Sequence, residues 1–246
     1  MSTHLVIPDC HASPHTDNDR FEWMGNLIVD LKPDVIVCLG DFADMGSLYR
    51  AKYINKDKYR EDIIATQHAM HTMLKPLQDH NKKLKAWKKK PFKPRMVMTL
   101  GNHENRIKNK KGASFDHLPY QAWEVIPYRE PIEIDGVSYS HSVISGVMAR
   151  DIGGENPATK ILGTTHTSTT VGHGHILDFS VSTTLQGKKL YGLVAGVWDD
   201  NDHDYAGPAN KLWWRGCVVK RNVRDGVYDP EFINMQTVKE KYSCVS

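Results

Sequence analysis

The sequence predicts an α/β protein, and three observations predict it. Apolar runs of strand length occur at His4–Pro8, Val35–Leu39 and Met96–Leu100. Between the first two, Phe21, Met24, Leu27, Ile28 and Leu31 recur at helical spacing, so strand, helix and strand form a parallel βαβ unit. Each run also stops abruptly in polar residues: Asp9-Cys10-His11, Gly40-Asp41-Phe42-Ala43-Asp44 and Gly101-Asn102-His103-Glu104. Open α/β sheets bind ligands at the carboxyl ends of their strands. Three strands that finish in carboxylate, imidazole and amide groups therefore read as one site.

The remaining elements follow in order. His11 to Asp19 is a polar loop, and a helix is predicted from about Arg20 to Leu31, ended by Lys32-Pro33-Asp34. Leu48 to Tyr59 reads as a loop or short helices. A long helix is predicted from about Arg60 to Lys85, with Ile63, Ile64, Met70, Met73, Leu74 and Leu77 as its apolar face. Pro76 is expected to kink or interrupt it. A short helix carrying Trp123 is expected within Ala113–Tyr128. Asp135-Gly136 between Pro131–Ile134 and Val137–Ser140 is a strong hairpin signal, and its second strand runs into His141. Asn156-Pro157 reads as an N-cap followed by proline at the first helical position, opening a helix to about Leu162. A Thr-rich strand, Thr167–Val171, delivers Gly172-His173-Gly174-His175. Two strand pairs follow: Asp178–Leu185 with Lys189–Trp198, and Cys217–Val223 with Val227–Ile233. With no repeat, low-complexity segment or linker, residues 1–246 are expected to form a single domain.

Composition excludes other classes. Hydrophobic residues make up 40% of the chain, and no apolar run approaches the ~18 residues needed to span a bilayer. Met1-Ser2-Thr3-His4 leads straight into the first strand with no signal segment, so a cytoplasmic protein is expected (the host's cytoplasm for a phage-encoded chain). Cys10, Cys38, Cys217 and Cys244 form no C-x-x-C pair and are expected as free thiols. A net charge of +3 says little about partners, whereas thirteen histidines, several in Gly-rich turns, say more.

Taken together, the strand-end residues are Asp9, His11, Asp41, Asn102, His141, His173 and His175. Carboxylate, imidazole and amide ligands suit divalent ions such as Mn, Fe, Zn or Ni. Seven ligands exceed what one ion needs and fit two, with one carboxylate shared. Asp9-Cys10-His11, Gly40-Asp41-Phe42-Ala43-Asp44, Gly101-Asn102-His103-Glu104, His141 and Gly172-His173-Gly174-His175 resemble the five ordered blocks of the calcineurin-like metallophosphoesterases, of the phage and bacterial type. The blocks cover roughly residues 4 to 175.

That resemblance implies a four-layer α/β/β/α sandwich of two mixed sheets flanked by helices, and it implies roles. Asp9, His11 and His175 hold the first of two divalent ions; Asn102, His141 and His173 hold the second; Asp41 bridges them. Manganese is the leading candidate, with Fe, Zn, Ni or Mg as alternatives. His103 meets the substrate and Asp44 orients it, as a positioned partner fixes a tautomer. Glu104 and Arg106 are left between a structural salt bridge and a substrate contact. The implied reaction is hydrolysis of a phosphoester by a metal-bridging hydroxide.

Outside the blocks, Lys82, Lys83, Lys85, Lys88, Lys89, Lys90, Lys93 and Arg95, with Trp87 and Phe92 interleaved, form a basic run. It reads either as a solvated helix end or as a nucleic-acid or nucleotide contact, with Lys108, Lys110 and Lys111 adding to a positive rim. Asp199, Asp200, Asp202 and Asp204 lie in one short loop without the glycine and terminal glutamate of a calcium loop, so a solvated loop at the site rim is expected. His203 in that loop shows no partner pattern, although it could reach a substrate there. His15, His68, His71, His80, His117 and His166 show no partner pattern, and Trp213-Trp214 is expected to pack the C-terminal sheets. Candidate activities are a phosphodiesterase or nuclease, a phosphomonoesterase on nucleotides or small molecules, and, less well supported, a phosphoprotein phosphatase. The rival from another class is a nucleic-acid-binding scaffold that retains the metal site. Oligomeric state is not legible in the sequence.

Overall fold

The computed structural model describes residues 1–203 and 206–243. Asp204 and Tyr205 of the acidic loop, and Cys244, lie outside the described residues. In chain order the first half contains β1 (Ser2–Ile7), α1 (Asp19–Leu31), β2 (Val35–Cys38), α2 (Lys56–Ala86), β3 (Arg95–Thr99), the one-turn α3 (Asn102–Asn105) and β4 (Glu124–Ile126). Then come β5 (Ile132–Ile134), β6 (Val137–Ser140), the small pair β7 (Ile144–Ser145) and β8 (Arg150–Asp151), and α4 (Pro157–Thr165). The chain ends with β9 (Ser168–Val171), β10 (Leu177–Thr183), β11 (Lys189–Ala195), β12 (Gly216–Arg224), β13 (Val227–Asn234) and α5 (Met235–Tyr242).

Two mixed sheets carry these elements. The first has the order β13-β12-β1-β2-β3-β4, parallel from β1 to β4 with an antiparallel pair at one edge. The second runs β10-β11-β9-β6-β5, with β6, β9 and β11 parallel. Leu5, Ile7, Ile36, Cys38 and Met98 point from the first sheet into a core shared with α1, α2 and α5. Val6, Val35, Val37 and Val97 point the other way, onto Tyr139, Leu193 and Ala195 of the second sheet. Burial on both faces is why these strands read as continuous apolar runs. With α4 packed outside the second sheet, the layers are α/β/β/α. Among the described residues no helix is long and apolar enough to cross a membrane.

Two local expectations need correction. Helix α2 starts at Lys56, where the Asn55 side chain accepts the amide protons of Asp57 and Lys58, and it continues through Pro76. Proline there loses one hydrogen bond in a 31-residue helix and is packed against α1 at Gly25, where a Cβ would stand 2.4 Å from the Met73 carbonyl oxygen. The Ala113–Tyr128 segment forms only a 3₁₀ turn at Phe115–His117 before β4. Pro119 and Pro127 break helical continuity there, and Val125 and Ile126 suit the strand. The C-terminal tail includes α5, anchored by buried Met235 and Val238 and by Lys241 and Tyr242 on Asp30.

The intersheet layer holds one unexpected cation. Lys220 on β12 is fully buried; its ammonium lies 4.4 and 4.3 Å from the ring centres of Tyr139 and Tyr228 and donates to Thr170 Oγ1 and to Tyr139 Oη at 3.3 Å. No carboxylate among the described residues pairs with it, and burial pushes its pKa well below the ordinary 10.5. The unfolded chain therefore binds a proton that the folded chain resists, and this contribution to stability rises with pH up to about 10.5. Lys220→Met is expected to be the more stable protein at pH 7, and its advantage to shrink between pH 7 and 9.5. Urea midpoints of both proteins at the two pH values test this, and a constant difference would contradict it.

Candidate metal centre

All seven strand-end residues meet at one end of the sandwich. Asp9, His11, Asp41 and Asn102 follow β1, β2 and β3 of the first sheet, while His141, His173 and His175 follow β6 and β9 of the second. Right-handed crossovers deliver parallel strands to the same edge, so residues distant in sequence converge.

Two clusters result. In one, His175 Nε2 lies 3.1 Å from Asp9 Oδ2 and 3.2 Å from His11 Nε2. In the other, Asn102 Oδ1 lies 2.9 Å from both His141 Nε2 and His173 Nδ1, and Asp41 Oδ2 lies 3.5 Å from His141 Nε2. Asp41 also falls within coordination range of His11 and His103, so it stands between the clusters. His141 donates Nδ1–H to the Leu39 carbonyl at 2.7 Å, which turns Nε2 toward Asn102 Oδ1 and Asp41; burial opposes its charging, yet the Asp41 and Asp9 carboxylates raise its pKa. Imidazole nitrogens, carboxylates and an amide oxygen converging at these distances fit a divalent cation. The donor set is that of a borderline or hard ion.

Electrostatics respond to the crowding. Burial opposes ionisation of Asp9, yet the imidazoles of His141, His175 and His11 hold its carboxyl far below the usual carboxylate range. Asp44 behaves likewise, with His103 and His11 overcoming its burial. His103 is also desolvated, but Asp41 and Asp44 raise its pKa to about 9. Its Nδ1 is 2.7 Å from the Asp44 carbonyl oxygen and 3.1 Å from Asp44 Oδ1, and its Nε2 is 3.7 Å from Asp41 Oδ2. Both Asp44 oxygens thus fix the ring, with Nε2 turned toward the clusters.

The backbone is strained to achieve this. His11, Asp41, His173 and His175 adopt φ of 48°, 46°, 62° and 55°, a left-handed conformation that costs a non-glycine residue about 1 kcal/mol or more. Glycine is required beside them for a different reason, close approach. A Cβ on Gly101 would lie 2.0 Å from Asp41 Oδ1, and one on Gly172 would lie 2.2 Å from Asp9 Oδ1.

Among the described residues no cation pairs with Glu104. Fully buried, it accepts the amide protons of Asp41 and Gly101 on Oε2, and that of Ala43 and the Tyr120 hydroxyl on Oε1. It pins the loop that carries Asp41. Arg20 does the same for the Asp9–His11 loop: buried, it donates to the Cys10 carbonyl at 3.0 Å and lies 3.9 Å from Asp199 Oδ1. As the first turn of an amphipathic helix, it gave no sign of this in the sequence.

The acidic loop is met by cations of the protein itself. Arg20 reaches Asp199 and Asp200, and Arg215 pairs with Asp202. Asp199 is buried and accepts from His203 Nε2 at 2.6 Å, while the Asn210 side chain clamps the His203 backbone at both N–H and carbonyl. His203 thus lines the cavity over the clusters, with its ring centre 5.4 Å from that of His11. Trp214 packs between the sheets as expected, but Trp213 does not; its ring stands edge-on to His175 at 4.3 Å. The cavity, of about 510 Å³, is also lined by Asp44, Tyr49, His103 and Arg106.

The model of the family described as calcineurin-like phosphoesterase matches residues 3–228. The chain is a calcineurin-like phosphoesterase. It is therefore a hydrolase of phosphoric esters, and its His and Asp groups are candidates for the metal such enzymes use. No curated protein matches this phosphoesterase in sequence. Among solved structures it is similar to an archaeal phosphodiesterase at 8% identity and a TM-score of 0.40, covering 94% of this chain and 99% of the other. It is also similar to Yfce, a phosphoesterase from E. coli, at 12% identity and a TM-score of 0.39, covering 94% and 100%.

Two outcomes are expected for this phosphoesterase in chelator. Glu104→Gln replaces one acceptor oxygen by a donor and should cost about 2–4 kcal/mol in chemical denaturation; a loss below about 1 kcal/mol would contradict the pinning role. His173→Gly, freed of the left-handed backbone strain, should hold or raise Tm, and a fall of several degrees would contradict a strained His173.

Proposed function

We propose that this phosphoesterase is a dinuclear, metal-dependent enzyme acting on nucleotide-sized phosphoesters. The observation that supports this most directly is the convergence of acceptor atoms into two clusters that share Asp41. In this reading Asp9, His11 and His175 hold one ion, Asn102, His141 and His173 the other, and Asp41 serves both. The ions, manganese first among the candidates, would supply a nucleophile at neutral pH and Lewis acidity toward phosphoryl oxygens. The chain's own residues do the rest. His103, held by both Asp44 oxygens, presents Nε2 to the substrate and protonates the departing oxygen. Asp44 fixes the direction of that imidazole, and Glu104 and Arg20 hold the loops from which the ligands project.

The basic run and the cavity lie at different ends of β3. The basic run begins near the end of α2 and closes at Arg95, the first residue of β3, whereas Asn102 and His103 follow that strand's last residue. Arg95 and Thr99 are separated by about 13 Å along the strand, and Lys82–Lys93 lie beyond Arg95. A polynucleotide held on that run would not thereby place a phosphate in the cavity. This weighs against the nuclease reading and favours a ligand that fits about 510 Å³.

The test is Mn²⁺-dependent hydrolysis of 4-nitrophenyl phosphate and bis(4-nitrophenyl) phosphate, followed for wild type, Asp41→Asn and His103→Asn. Wild type is expected to turn over at least one of them. Asp41→Asn should reduce turnover to background, and His103→Asn should lower kcat by about 10²–10⁴-fold. No turnover of either ester by a protein with metal bound would sink the proposal.

A further inference from the structure

One cation of the cavity is left over by the reaction just described. Arg20, Arg95, Arg129, Arg215, Arg221 and Arg224 each have a carboxylate oxygen within 4.0 Å. Arg106 has none among the described residues, although it is half-buried and lines the cavity. It is nonetheless held firmly. Its Nη1 donates to the Asp44 carbonyl at 2.9 Å and to the Met45 carbonyl at 3.3 Å, and its Cζ lies 5.0 Å over the ring of Tyr49. The Asp44 carbonyl oxygen also takes His103 Nδ1 at 2.7 Å, so guanidinium and imidazole are fixed side by side on one atom. The Arg50 guanidinium, 5.1 Å from the Tyr49 ring centre, adds a second positive charge.

With Nη1 committed to the loop, the remaining donors of Arg106, Nε and Nη2, take no protein acceptor among the described residues. That edge is the one with which arginine forms paired bonds to phosphate or carboxylate. Arg106 shares the Asp44 carbonyl with His103 Nδ1, the ring nitrogen turned away from Asp41, while Asp44 Oδ1 lies 3.5 Å from His11 Nδ1. A group bound by Arg106 would therefore sit on the far side of His103 from a phosphoryl group over the clusters.

We propose that Arg106, braced by Tyr49, forms a second anion subsite, and that the substrate is a phosphoester whose leaving group carries a further phosphate. This rests on the phosphoester-hydrolase reading above and names its substrate class. Binding of the second anion also places the leaving oxygen beside His103, so remote charge serves orientation.

The decisive measurement compares adenosine 5′-monophosphate with adenosine 3′,5′-bisphosphate on the Mn²⁺-loaded protein. Each is used as a competitor of bis(4-nitrophenyl) phosphate turnover and, separately, as a titrant in calorimetry. Wild type is expected to bind the bisphosphate at least about tenfold more tightly. That ratio should fall close to one in Arg106→Met and recover in part in Arg106→Lys. The ratio, not the activity, is the readout, so a general disturbance of the site cannot imitate it. Should Arg106→Met not fold, Tyr49→Leu decides, because it leaves the carbonyl contacts of Arg106 intact and should lower the ratio by a smaller factor. Equal affinities in wild type, or a ratio unchanged by the substitutions, would overturn the subsite. Failure of the hydrolase reading looks different: no turnover of the reporter, with the ratio still measurable by calorimetry.

Discussion

Buried carboxylates, imidazoles and an amide oxygen are held about 3 Å apart at one end of this molecule, and much of the structure keeps them there. Polar groups crowded together away from water would return to it if their loops were free. Four of the seven residues sit in left-handed backbone, and two glycines are stripped of any side chain so that carboxylates can lie against them. The buried Glu104 gathers three amide protons and a hydroxyl to fix one loop, and Arg20 fixes another by its carbonyl oxygens. Strain of this kind persists only where the surroundings over-determine it. The doubly covered parallel strands provide those surroundings.

The scaffold was legible in the sequence where burial wrote it plainly. Strands covered on both faces appear as unbroken apolar runs, and Asp135-Gly136 and Asp225-Gly226 mark turns because both residues of each pair take positive φ. The candidate ligands Asp9, His11, Asp41 and Asn102 were legible for the same reason, since each follows one of those runs. Residues whose task depends on partners far along the chain were not. Arg20 looks like an ordinary helix residue until Asp199 is folded against it. Lys220 looks like a polar strand position until two tyrosines enclose it. Trp213 and Trp214 are adjacent and face different environments, because consecutive residues of extended chain point to opposite sides. The start of α2 and the absence of a helix before β4 were decided by a cap and by two prolines, local signals that hydrophobic periodicity does not register.

The basic run illustrates a different point. Its composition suggested a substrate contact, but a strand has two ends, and the run and the ligands occupy opposite ends of β3. Charge of the attracting sign is a statement about a binding surface only once its position is known. The arginine that does line the cavity, Arg106, is individually placed, and a placed charge discriminates among small anions better than a long stripe does.

The origin of the ligands has a further consequence. Four come from one sheet and three from the other, so the clusters straddle the seam between the two sheets. Any sliding of one sheet on the other changes donor separations within both clusters at once. The apolar layer between the sheets, with Val37, Val97 and Leu193 at its centre, therefore acts as the gauge block of the site. Its thickness sets the separation of the side chains within both clusters, so a change in the volume of a core residue would be felt at atoms it never touches.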